Sequence, residues 1–237
     1  MSINLKITTV TITYNNRVEL TKTLNSLVEA DCKPFEIIVV DGGSTDGSVD
    51  IIKSFTDKLP QMKYTSEKDG GIYDATNIGK RQVSTPLVHF LNAGDAIYGN
   101  PYKGIDQPCL IPVRFIDEDG NKAGSDRVKL FGTAYNHQGI LLPAEHEDYD
   151  TSFSLAADYK MMLKTFPLGL SRLPVVKNGG AEYQLGGLSS QKPVLGLWEM
   201  VVSVFQVRPM LALPVTFILV LKLMIPRRIR RLTILKL

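Results

Sequence analysis

Hydrophobic residues alternate with threonine over LKITTVTIT (5–13) and then give way to the polar Tyr14-Asn15-Asn16. A period of two in β-branched residues predicts a strand ending near Thr13. Asn16 then stands where a helix cap is wanted, and RVELTKTLNSLVEA places Val18, Thr21, Leu24, Leu27 and Val28 on one helical face. FEIIVV (35–40) is a continuous apolar run, the pattern of a strand covered on both faces. DGGSTDGS is turn chemistry, and SVDIIKSF opens the next helix with Ser48 as its cap. MKYTSE predicts a short strand, YDATNIGKRQV a helix and PLVHFL another buried strand. The order β-α-β-α-β-α-β over the first 91 residues predicts an α/β fold, a mostly parallel sheet with helices on both faces. Beyond Tyr98 the regularity fades. CLIPVRFID, EDG and VKLFG predict a hairpin or mixed-sheet addition, and TSFSLAADYKMMLKTF a helix with Leu155, Tyr159, Met162 and Phe166 at helical spacing.

The 237 residues suffice for one core and a tail, and charge shows where the tail begins. No Asp or Glu follows Glu199, whereas seven of the 27 Lys and Arg do, so residues 1–199 carry a net −4 and residues 200–237 a net +7. We therefore expect a body over 1–193 and an apolar, basic tail over 194–237. The tail's charge-free run from Pro209 to Leu221 is 13 residues, short of the roughly 20 needed to cross a bilayer. Pro209, Pro214 and Pro226 interrupt it, and Arg227, Arg228, Arg230 and Arg231 follow. This pattern predicts a segment lying in a membrane interface with its arginines on anionic headgroups. A nucleic-acid partner is not expected, because no aromatic platform accompanies the arginines. The N-terminus has no basic region leading into an apolar one, so the body is expected in the cytoplasm, bound peripherally to the inner face of the membrane. Cys32 and Cys109 have no metal-ligand spacing and are expected to be small buried hydrophobes.

In open parallel sheets ligands bind beyond the carboxyl ends of the strands. Here those ends carry Thr13-Tyr14-Asn15, Asp41, Glu67 to Asp69, and Asn92 to Asp95. Acids gathered there repel one another unless a cation sits among them, which points to a divalent metal, Mg2+ or Mn2+, sharing its shell with substrate phosphates. DGGSTDGS is not a G-x-G-x-x-G fingerprint, and no G-x-x-x-x-G-K-[ST] loop occurs, which argues against a dinucleotide dehydrogenase and a phosphate-loop nucleotidase. His137 is placed to face an acceptor or metal, His89 to be a satisfied core residue, and His146 to lie in a loop.

TITYNN, VVDGGSTDGS, EKDGGIYDATNIGKRQVSTPLVHFLNAGD and HQGILL…AADYKMML, in that order, resemble the family 2 glycosyltransferases of GT-A fold. The nearest flavour is the bacterial group that builds surface polysaccharides such as colanic acid and O-antigen. The resemblance implies an inverting transferase that moves a sugar from a nucleotide-sugar donor to a saccharide or polyprenyl-linked acceptor. It implies donor contacts from Thr13, Tyr14, Asn15, Asp41, Asp69, Asn77 and Asn92. Asn92-Ala93-Gly94-Asp95 stands in the place of the D-x-D metal motif, with Asn at the first position, which leaves Asp95 as the metal ligand. Asp158 matches the catalytic base, and His137 is the next candidate for that role. Two other readings stay open. A nucleotidyltransferase would want a basic Gly-rich loop near the first helix, which TYNNRVEL is not, and a scaffold could keep the fold without catalysis.

Overall fold

A computed structural model of the chain describes residues 6–126, 135–187 and 191–210, together with Leu213 and Phe217. Four parallel strands form its centre: β1 (Ile7–Thr13), β2 (Glu36–Asp41), β3 (Met62–Ser66) and β4 (Leu87–Phe90). Helices α1 (Arg17–Glu29), α2 (Ser48–Phe55) and α3 (Ile72–Arg81) make the crossovers between them. Every residue of β1 and of β4 is buried, as expected of strands with helices on both sides. The remaining strands are β5 (Ala96–Gly99), β6 (Cys109–Leu110), β7 (Val113–Ile116), β8 (Lys122–Ser125), β9 (Ile140–Pro143) and β10 (Gly179–Gln184). The main sheet runs β3-β2-β1-β4-β9-β6, with β9 antiparallel to both of its neighbours, and a second sheet runs β5-β10-β7-β8. Two further helices, α4 (Ala157–Thr165) and α5 (Pro193–Val207), pack on each other.

Register brings the strand ends level. Thr13 pairs with Asp41 and Asp41 with Ser66, while Ala93 N–H reaches back to Ile12 O at 3.1 Å. Polar residues that follow each strand therefore gather along one edge of the sheet. α3 lies hard against β1, because a Cβ at Gly79 would sit 2.4 Å from Val10 Cγ1. Only glycine allows that approach. His89, fully buried in β4, holds Tyr102 Oη and the Gln138 carbonyl, each at 2.8 Å from a ring nitrogen. Burial pushes its pKa down to about 4, so it is a neutral, satisfied core residue.

Several local expectations are corrected. The buried face of α1 is Leu20, Thr23, Leu24 and Leu27, while Val18 is 72% exposed. Ser48 is the first residue of α2 rather than its cap; the cap position is Gly47, and Asp46, before it, accepts the Ser48 N–H at 3.0 Å. The hairpin forms between β7 and β8 around the EDG turn, with Lys122–Ser125 as its return strand, whereas VKLFG (128–132) lies outside the described residues. His146 lies in the loop after β9, as expected, and is buried there against Phe90 and Tyr149. The boundary expected after residue 193 falls at the start of α5, whose Glu199, Val201, Ser203 and Val204 are buried, so the packed body reaches Val207. The arginine-rich end of the tail lies outside the described residues.

Candidate active site

Two cavities meet over the strand ends. The first, about 720 Å³, is lined by Thr13, Tyr14, Gly42, Lys68, Asp69 and neighbours. The second, about 640 Å³, is lined by Glu19, Tyr73, Asp95, His137, Gln138, Asp158 and neighbours. Asn16, Ile72, Asn92 and Ala93 line both, so they stand at the junction. The geometry is that of an elongated ligand with one end in each cavity and its middle at Asn92-Ala93.

The first cavity has a built wall. Buried Asp41 accepts hydrogen bonds from Gly43 N–H (3.2 Å), Ser44 N–H (3.0 Å), Ser66 Oγ (2.7 Å) and Ser44 Oγ. Asn15, at φ 46°, accepts from Thr45 N–H at 2.8 Å. Asn77 holds the backbone of Tyr149 with both amide atoms, each at 2.8 Å. Asn15, Asp41 and Asn77 were expected in contact with donor; none of them lines either cavity, and each instead braces the loops that do. Thr13, Tyr14, Asp69 and Asn92 line the cavities. Asp69 anchors the start of α3 by accepting from Gly71 N–H at 2.8 Å. A Cβ at Gly42 would lie 2.7 Å from Asp69 Oδ2, so a side chain there would push this wall apart.

In the second cavity Asp95 is 4% exposed, and its Oδ1 accepts from Gln184 N–H at 3.0 Å, which ties the loop to β10. Burial pushes its pKa up to about 7, opposed by the Gln184 N–H and the Lys22 ammonium and reinforced by the Glu19 carboxylate. Glu19, from the first turn of α1, escaped sequence reasoning. Its carboxylate lies against Gly94, where a Cβ would come within 3.3 Å of Oε2. That Oε2 is buried and has no hydrogen-bond partner among the described residues. No group of three or more His, Cys, Asp and Glu is arranged to hold a metal among the described residues. Two carboxylates and an amide oxygen, with one carboxylate oxygen unsatisfied, nevertheless form a donor set that suits a hard cation completing its shell with substrate phosphates. The signal for Glu19 was its position six residues after the end of β1, one helical turn into the element that faces the junction.

Asp158 is the second residue of α4. Its Oδ1 accepts from Tyr159 N–H at 2.8 Å and faces Tyr73 Oη at 3.4 Å. Burial pushes its pKa up to about 6, against the pull of those two donors. A carboxylate ionised at neutral pH yet poised near it has the character of a general base. Tyr73 stacks on Tyr149, whose hydroxyl lies 2.6 Å from His137 Nε2, and His137 stacks on Phe90. His137 lines the cavity, but burial and its neighbours His146 and His89 push its pKa down to about 3. Such an imidazole takes up a proton poorly at neutral pH. The two candidate bases thus differ in their ease of protonation, His137 being held low and Asp158 raised.

Comparison with known proteins agrees with this arrangement. The family model for Glycosyl transferase family 2 matches residues 8–100. Validoxylamine A glucosyltransferase of Streptomyces hygroscopicus subsp. limoneus is 40% identical over 86 residues, 35% of this chain and 19% of that protein. A PGL/p-HBAD biosynthesis glycosyltransferase of Mycobacterium bovis is 36% identical over 87 residues, 36% of this chain and 34% of that protein. The chain thus aligns with 19% and 34% of the length of these relatives. Among solved structures, S. aureus TarS in complex with UDP superposes with a TM-score of 0.62 at 17% identity, over 86% of this chain and 67% of that one. Mannosyltransferase PcManGT of Pyrobaculum calidifontis, in complex with GDP-Man and Mn2+, gives 0.64 at 15%, over 86% and 64%. Motif order, sequence identity and fold converge: residues 8–100 match the Glycosyl transferase family 2 model, and the chain shares the GT-A fold of these solved transferases.

Proposed function

We propose that this chain is an inverting glycosyltransferase that moves a sugar from a nucleoside diphosphate sugar to a saccharide acceptor carried on a polyprenyl lipid, in the assembly of a surface polysaccharide. One observation carries the reading: two cavities meet at Asn92-Ala93, one walled for a nucleoside and the other holding a poised carboxylate, Asp158. The nucleoside lies between Tyr14, Lys68 and Asp69, and the diphosphate crosses Asn92. Asp158 takes the proton from the acceptor hydroxyl as it attacks. One base and one displacement invert the anomeric centre. Asp95, with Glu19 and Asn92, would hold a divalent cation, Mg2+ or Mn2+, whose chemistry is Lewis-acid stabilisation of the departing diphosphate. The names of relatives support donor and metal alike, since TarS was solved with UDP and PcManGT with GDP-Man and Mn2+.

The test is a panel of UDP- and GDP-sugars with Mn2+, read by release of the nucleotide and by NMR of the product anomer. We expect release with one donor and an anomer opposite to that of the donor. A retained anomer removes the inverting mechanism. Binding without any release across the panel favours a scaffold, and pyrophosphate release from a nucleoside triphosphate favours a nucleotidyltransferase.

The acceptor assignment adds a membrane surface. No helix among the described residues is long and apolar enough to cross a membrane. Val194, Trp198 and Phe205 on α5 are exposed, as are Met210, Leu213 and Phe217 beyond it. In sequence this apolar stretch runs into the four arginines at 227–231, each contributing on the order of 1 kcal/mol on an anionic surface. The full chain should therefore sediment with anionic liposomes in low salt, and a chain ending at Val207 with Trp198→Ser should not. Equal behaviour of the two would remove the membrane from the proposal.

A further inference from the structure

Helix α4 has nine residues, too few to be stable alone, and its cap residue Ala156 offers no side-chain acceptor to the open N–H groups at its start. The acceptor comes from α5 instead. The Glu199 carboxylate accepts from Ser154 N–H (2.8 Å), Leu155 N–H (2.8 Å) and Ala156 N–H (2.9 Å). At the other end the Arg208 guanidinium donates to Leu163 O and Phe166 O, both at 2.9 Å. An anion at the N-terminus and a cation at the C-terminus are the signs that the helix dipole favours. Between the two clamps Ala156, Tyr159 and Leu163 pack against Met200, Val204 and Val207. Glu199 is 8% exposed, and Ser203 Oγ, bonded to its carbonyl at 2.8 Å, braces it one turn on. Ser154 and Leu155 line the second cavity, and Asp158 follows within one turn, so the Glu199 clamp grips the backbone that carries the carboxylate.

We propose that Glu199 and Arg208 are positioning residues: α5 is a splint that holds α4 at both ends and so sets where Asp158 stands in the cavity. This rests on the reading of Asp158 as the base. It also gives the apolar outer face of α5 a consequence, because the helix offered to the lipid surface is the one that holds the catalytic helix. A short helix gripped only by its own contacts would let Asp158 wander, and a displacement of about 1 Å costs up to ~10²-fold in rate.

The experiment compares full-length Glu199→Gln, Arg208→Met and Arg208→Lys with the unaltered protein. We expect Glu199→Gln and Arg208→Met to lower kcat roughly 10- to 100-fold with little change in donor KM, and Arg208→Lys to restore much of that loss. Carboxyl NMR of Asp158 and amide exchange over residues 154–166 are read in parallel. The groups facing Asp158 are Tyr73 from α3, Tyr149 from the loop before α4 and Glu199 from α5. Glu199 raises the Asp158 pKa, so its neutralisation should move that titration down, together with the acid limb of kcat. Unchanged kcat despite faster exchange at 154–156 overturns the proposal. So does a fall in apparent kcat that matches the unfolded fraction measured by circular dichroism, since that is a purely structural role. Should no donor be turned over by the unaltered protein, the functional reading fails on its own. The splint is then decided by the NMR of Arg208→Met, since Arg208 is not among the groups that act on the Asp158 charge: a shifted Asp158 titration with faster exchange upholds it, and an unmoved titration overturns it.

Discussion

Asp158→Asn lowers turnover by at least ~10²-fold, the ordinary worth of a positioned base, while nucleotide binding measured by calorimetry stays as it was. Asn is nearly isosteric, and its oxygen still accepts from Tyr159 N–H, so the start of α4 is kept. What it loses is the ability to take a proton. Binding survives because the nucleoside wall is built around Asp41 and Asp69, on other elements. The unaltered enzyme should lose kcat as pH falls through about 6, where the raised pKa of Asp158 protonates it, and Asp158→Asn should lack that limb. Stability moves the opposite way. A carboxyl whose folded pKa is raised favours the fold below its ordinary pKa and loses that contribution as pH rises through about 6. At pH 7.5 the ionised, buried Asp158 therefore costs stability, on the order of 1–3 kcal/mol, and Asp158→Asn should melt higher there but not at pH 4. A variant that turns over normally moves the role of base elsewhere. With a pKa near 3, His137 is poorly suited to inherit it.

Much of this fold can be read from periodicity. The apolar runs at 35–40 and 86–91 and the β-branched alternation at 5–13 became β2, β4 and β1 because strands buried on both faces admit little else. Which face of α1 is buried was harder to read. Val18 and Leu20 both suit an apolar stripe, and only the position of the neighbouring strands puts Leu20 inward. The candidate site divides the same way. Tyr14, Asp69, Asn92, Asp95 and Asp158 follow strand ends or open a helix, so local pattern finds them. Asp41 and Asn77 are also at expected places in sequence, but their lone pairs and amide go to loops 25 and 72 residues distant. No local pattern separates a wall-builder from a wall. Glu199 and Arg208 act across 43 to 45 and 42 to 45 residues, respectively. In sequence Glu199 was visible only as the last acid before the basic tail.

Asp95→Asn should abolish tight Mn2+ binding in the presence of nucleoside diphosphate and lower sugar transfer by ~10²- to 10³-fold, the loss expected when stabilisation of a developing charge is removed. Asn is the sharper substitution than Ala, because its oxygen can still accept the Gln184 N–H that ties this loop to β10. A fall in Mn2+ binding then reports the lost carboxylate charge rather than a loosened loop. Glu19→Gln should weaken the same binding to a lesser degree, since its Oε2 is the unsatisfied oxygen beside Gly94. Chelation of divalent ions should mimic Asp95→Asn in transfer and leave Asp158→Asn no further to fall. The two readouts divide the outcomes. Unaltered Mn2+ affinity in both variants, measured by electron paramagnetic resonance with UDP and GDP in turn, would place the cation elsewhere. Full transfer in chelator would remove it from the mechanism and turn attention to Lys22, whose ammonium lowers the Asp95 pKa, as a protein cation beside this site.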